Sequence, residues 1–183
     1  MLDSVILPFD LATTSNAVWK LTTDYFVAFS KGVYKALDPI RKTIRAEFSM
    51  TLTLGRSEMT LYDCFFAKWI SENHRSILLW SSEGISDGGL LANEHLEMRR
   101  SGWTVIETVP STDGSSSSSS STVIQTVVRM TPTVIGASPV VSLNLLSKLS
   151  DLARSAFPHK MEVAHQMLEN LLLQLYMKDH VTA

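Results

Sequence analysis

The C-terminal helix constrains the fold most. From Pro158 to about residue 178, Met161, Ala164, Met167, Leu168, Leu171, Leu172, Leu175 and Tyr176 recur at helical spacing but cover far more than one narrow stripe. A helix apolar over so wide an arc must be enclosed by other parts of the chain, because burial of that surface is what holds it in place. At 1.5 Å per residue it spans about 30 Å, enough to cross a sheet. Val140 to Ala156 forms an earlier helical segment. Phe157-Pro158 reads as the break between the two, with Pro158 in the first turn of the second helix, where a missing N–H is tolerated.

The enclosing surface is written in the middle of the chain. Ile44, Ala46, Phe48, Met50, Leu52 and Leu54 alternate with polar residues, which predicts a half-buried strand. Gly55-Arg56-Ser57 turns it back, and Met59 to Trp69 reads as the return strand. Ser76 to Ser81 gives a third strand, with a loop through Gly84, Asp87, Gly88 and Gly89 after it. Leu96 to Val109 gives a fourth, in which Gly102 predicts a bulge or sharp bend. Residues 110–121 end in seven serines and read as a flexible hairpin tip, because strand-like Thr104-Val105-Ile106 and Val123 to Val128 flank them. A length-tolerant loop is the expectation there, and a phosphorylated one the alternative.

Ahead of the sheet, Val5 to Leu11 is a short edge strand carrying Pro8. Thr13 to Asn16 supply N-caps for a helix whose face is Val18, Leu21, Thr22, Tyr25 and Phe26, and a second, shorter helix is expected before residue 40. Strands and helices do not alternate, so the class is α+β, with a curved antiparallel sheet wrapped around a long C-terminal helix.

Composition limits what such a domain does. The 183 residues suffice for one domain with its own core, spanning 1–183. Sixteen Lys and Arg against eighteen Asp and Glu give a net charge of −2, so the basic field of a duplex binder is missing and no direct nucleic-acid partner is expected. No basic leader or long apolar run is present, and an intracellular location, cytoplasmic or nuclear, is expected. The single cysteine, Cys64, lies in an apolar run and reads as a buried, reduced thiol. The five histidines do not make a metal spacing, and neither a phosphate loop nor a Gly-x-Ser-x-Gly elbow occurs. No cofactor and no catalytic residue is therefore called for. His165, beside the apolar arc, is expected to be a satisfied core-edge histidine.

The order of elements is similar to the helix-grip fold of the START and polyketide-cyclase-like superfamily. Three strings carry a closer resemblance, to START-like domains of oomycete proteins, mating-specific ones among them: Leu7-Pro8-Phe9 running into Asn16-Ala17-Val18-Trp19, Arg99-Arg100-Ser101-Gly102-Trp103-Thr104-Val105, and Met130-Thr131-Pro132. Such proteins often carry the domain behind a basic helical region, whereas this sequence begins at the domain itself, which puts a transcription-factor role in doubt. The resemblance implies binding of a lipid or other hydrophobic small molecule between sheet and terminal helix, for transport or sensing, with transient membrane contact during loading. The protein partner is open.

The space between sheet and helix is either a packed core or a pocket, lined by Phe48, Met50, Phe65, Trp80, Met98 and Trp103 from the sheet and Leu168 and Leu172 from the helix. The stretch 84–89 is the expected gate. Asp63 is in phase with Leu61 and Phe65, and Arg129 with Val123 and Val127; each, if turned inward, is a charge that demands a partner or a polar ligand group. Whether either turns inward stays open, and Glu107 and Arg99 are second candidates. Two other functions remain: an interaction or regulatory domain with a filled core, and a cyclase-type enzyme using Asp63 or Glu107.

Overall fold

The computed structural model describes residues 1–25, 31–38, 40–54, 57–86, 95–109, 121–136 and 139–181. Alternating sequence becomes strand wherever it was expected. The strands are β1 (Leu2–Leu7), β2 (Lys31–Asp38), β3 (Thr43–Leu54), β4 (Ser57–Ser71), β5 (Arg75–Ser86), β6 (His95–Thr108) and β7 (Thr122–Ile135). They form one sheet in the order β1-β7-β6-β5-β4-β3-β2, antiparallel throughout. From β2 to β7 every strand pairs with its neighbour in sequence, and β1 closes the far edge against β7. Helix α1 (Leu11–Lys20) continues into a π-helical turn at Leu21–Tyr25, and α2 (Pro139–Val181) ends the chain's regular structure. This is an α+β fold whose curved antiparallel sheet and long C-terminal helix are consistent with the helix-grip architecture.

Several local expectations change. Helix α1 is capped one turn earlier than Thr13 to Asn16 suggested: the Asp10 carboxylate accepts from the Thr13 N–H at 2.9 Å and from its hydroxyl at 2.6 Å. These bonds hold the Asp10 pKa below the usual aspartate range. The second, shorter helix is instead strand β2, because pairing along Thr43–Ser49 of β3 overrides a weak local pattern. Gly102 makes no bulge; its register with Trp80 is regular, and a Cβ there would meet the Val127 carbonyl at 2.3 Å and the Trp80 ring at 2.6 Å. Glycine is required because an indole lies across it.

Helix α2 runs through Pro158 without stopping, since packing at both ends outweighs the one hydrogen bond the proline removes. Gly84 belongs to β5, while residues 87–89 of the expected gate lie outside the described residues, as do 110–120 of the serine-rich loop. The base of that loop is closed by a Val109 N–H to Ser121 carbonyl bond of 2.8 Å.

The interior between sheet and α2 divides into two apolar clusters. One gathers Leu7, Ala17, Val18, Phe48, Phe65, Trp69, Ile106 and Ile124 with Leu168, Leu171 and Leu172 of α2. The other gathers Met59, Leu61, Leu96 and Met98 with Leu149, and Met130, Val134 and Leu145 pack on it. No helix among the described residues is long and apolar enough to cross a membrane.

Candidate functional site

The strand phase that was open in the sequence is settled at β4. Leu61, Asp63, Phe65, Ala67 and Trp69 face inward and are buried, whereas Tyr62, Cys64 and Phe66 face outward. Cys64 is therefore exposed and not the buried thiol expected, since one alternating strand cannot bury both Asp63 and Cys64 against the same layer. Asp63 has a side-chain exposure of 0%.

A charged centre forms around it. Register places Asp63 opposite Gly84, and Phe65 opposite Ser82, which in turn faces Arg100 of β6. The Arg100 guanidinium reaches back across β5: its Nη2 donates to Asp63 Oδ2, and its Nε donates to Ser82 Oγ at 3.0 Å. Gly84 makes the room, because a Cβ there would lie 2.8 Å from Asp63 Oδ2. One oxygen of Asp63 is thus used. The other, Oδ1, is buried with no hydrogen-bond partner, which is expensive for a carboxylate in an apolar interior. Burial pushes the Asp63 pKa up, and the Arg100 charge, with the nearby Ser82 hydroxyl, pulls less strongly the other way.

From the opposite layer, Lys160 of α2 lies close enough to Arg100 to feel its charge. Loss of water first, and Arg100 second, lower its pKa from the ordinary lysine value, although the residue as a whole remains exposed. Lys160 falls in the helical phase of Leu149, Ala153, Ala156 and Ala164. The stripe of α2 in phase with the buried Leu168 and Leu172 runs on through Ala164, Met161 and Phe157, all partly buried, with the exposed Lys160 beside it.

The remaining expected residues divide cleanly. Phe48, Phe65, Met98, Leu168 and Leu172 are buried in the interior, and Trp80 is half-buried there, stacked on Phe65 with ring centres 6.3 Å apart. The side chain of Met50 lies outside the described residues. Trp103 is 46% exposed on the outer face, because Gly102 and Thr104 on either side of it point inward. Arg129 is also on the outer face, since Thr126 and Ile124 set the inward phase of β7. Neither of these two residues lines the interior. Arg99 and Glu107 point outward as well, in ion pairs with Glu83 at 2.9 Å and with Arg75 at 3.9 Å. His165 bridges α2 to β1, with Nε2 2.9 Å from Asp3 Oδ2. Among the described residues no group of three His, Cys, Asp or Glu side chains is placed to hold a metal ion.

From the sequence, Arg100, Ser82 and Lys160 are assigned to no site, and Gly84 reads as part of a loop and gate. The signal was there for Arg100: it is in phase with Met98 and Gly102, and an inward Asp63 demands a cation two strands away.

The architecture and this centre define the class, an α+β domain whose sheet-and-helix interior holds the Asp63–Arg100 ion pair. Comparison with known proteins goes little further. No protein-family model matches the chain, and no curated protein does. A solved structure described as a conserved protein from Geobacillus kaustophilus is similar over 93% of this chain and 93% of its own, at 13% identity and a TM-score of 0.41, which supports no statement about function.

Proposed function

We propose that this domain binds a lipid or another hydrophobic small molecule between the sheet and α2, for transport or sensing. The observation that supports this most is Asp63 Oδ1, an acceptor buried without a partner in a largely apolar interior. A hydroxyl or amide on an otherwise apolar molecule satisfies it, and Phe65, Trp80, Met98 and Leu172 supply the surroundings for the rest of such a ligand. The resemblance to START-like domains points to the same kind of ligand. Lys160, facing Arg100, favours a ligand whose polar end carries acceptors as well.

The test is native mass spectrometry of the freshly purified protein, with extraction and identification of what co-purifies. A stoichiometric lipid or sterol-sized mass that is lost in Asp63→Ala is the expected result. An unliganded mass, together with no thermal stabilisation by a lipid panel, overturns the proposal.

A second reading has its own observation. The outer face of the sheet carries Phe66, Leu79 and Trp103 at 48%, 42% and 46% exposure, and Leu79 and Trp103 are cross-strand partners. That face suits an interaction domain whose interior is filled.

A further inference from the structure

A cavity lies outside the sheet-and-helix interior, at the end of the molecule where α1 crosses the ends of β4 and β5. Its volume is about 330 Å³. Two contacts fix its walls: Ser15 Oγ donates to Ser76 Oγ at 3.0 Å, and the Trp19 and Trp69 rings meet edge to face with centres 5.7 Å apart. The indoles and Leu11 give the cavity an apolar side.

Its polar side is rich in donors. Lys42 lines it, and no carboxylate lies within ion-pair distance of that ammonium among the described residues. Lys42 Nζ donates to Ser71 Oγ at 3.4 Å, and Trp69 Nε1 donates to the same oxygen at 3.0 Å. A hydroxyl oxygen has two lone pairs and one hydrogen, so Ser71, with both lone pairs engaged, has only its O–H left to offer. Ser76 accepts from Ser15 and likewise keeps its own hydrogen. The one carboxylate in the wall, Glu72, is already paired with Arg75 Nε at 2.5 Å.

Lys42 also carries the only positive φ of a non-glycine residue among the described residues, 46°. That conformation is disfavoured for a side chain with a Cβ, and here it is held by the Trp69 N–H donating to the Lys42 carbonyl at 2.9 Å. The turn before it is fixed by Asp38, whose Oδ1 accepts from the N–H groups of Ile40 and Arg41 at 3.1 and 3.0 Å. The strained backbone thus aims an unneutralised cation into a space with indole walls and two hydroxyl donors.

We infer that this cavity binds a small organic anion with a flat apolar body, of the aromatic carboxylate class. The carboxylate sits between the Lys42 ammonium and the Ser71 hydroxyl, and the ring lies against Trp19 and Trp69. The size suits a small metabolite. The site goes beyond the proposed lipid-binding role and does not depend on it.

The probe is 2-naphthoate, titrated into the full chain and followed by amide and indole N–H shifts in two-dimensional NMR. Saturable shifts are expected at Ser15, Lys42, Ser71 and the Trp69 indole. Lys42→Gly, which suits the positive φ and removes the ammonium, should weaken binding roughly tenfold. Asp63→Asn should leave it unchanged. Equal binding of the neutral 2-naphthylmethanol, unaltered affinity in Lys42→Gly, or shifts confined to the sheet-and-helix interior each overturn the inference.

Discussion

Near α1, Leu168, Leu171 and Leu172 of α2 share a cluster with Phe48, Phe65 and Trp69; about 30 Å back along the same helix, Leu149 shares one with Met59, Leu61, Leu96 and Met98. Both ends are buried, yet they are built from different material. Rings have few rotamers and flat faces, so the first end is stiff. Methionine has three flexible bonds and a polarisable sulfur, so the second end can repack around a change of contents. Met130 adds a third thioether there. The Asp63–Arg100 pair sits between the two. On the proposed function, the ligand lies about this pair, with the stiff Phe65, Trp80 and Leu172 on one side of it and the adaptable methionines on the other.

The largest effect expected is at the stiff end. Leu172→Ala removes a side chain with 0% exposure from neighbours that cannot close the gap, and should destabilise the fold by about 4 kcal/mol in urea unfolding. Leu149→Ala should cost about 2 kcal/mol, because thioethers collapse into the space. Equal losses at the two positions would erase the distinction between the ends.

Asp63→Ala should cost about 3 kcal/mol by leaving Arg100 half-buried without its carboxylate. Restoration by the double change Asp63→Leu with Arg100→Met would show that the pair is kept for something other than stability.

The next prediction is read from pH. The folded-state pKa of Asp63 is raised, so the folded chain binds this proton more tightly than the unfolded one. Its contribution therefore favours folding in acid and is lost as pH rises above the ordinary aspartate value and through the raised one. Asp63→Asn should flatten the stability profile across that window. A steeper profile in the variant would reverse the assignment.

The smallest effect belongs to the outer face. Trp103→Ser should change stability by no more than about 0.5 kcal/mol and leave lipid binding intact, while improving solubility. A loss near that of Leu172→Ala would put Trp103 back in the interior.

The sheet was legible because alternation is a local property: Ile44 to Leu54 and Met59 to Trp69 announce themselves within ten residues, and α2 by its wide apolar arc. What pairing decides was not legible. Lys31–Asp38 becomes a strand because β3 offers it partners, and α2 continues through Pro158 because both of its ends are anchored. The site depended on one binary choice, the phase of β4. With Phe65 and Phe66 adjacent, either phase buries an aromatic ring, so periodicity alone could not say whether Asp63 or Cys64 lay inside. The other half of the choice lay on β6, where Trp103 is the bulkier and more apolar residue but Arg100 is the one in phase with the interior. Gly102 is the better clue in retrospect, since a glycine beneath Trp80 marks the inner face and sends Trp103 outward.

Pro158 has a mechanical consequence. With no N–H at that position, the Arg154 carbonyl receives no helical bond from it, and the backbone there resists bending less than elsewhere in α2. The helix then behaves as two rods coupled by a soft joint. One is clamped at Leu168 to Leu172 and the other rests at Leu149, with Lys160 just past the joint. On the proposed function, flexing there moves Lys160 relative to Arg100 while each clamp keeps its grip, and a ligand is admitted without the fold loosening at either end.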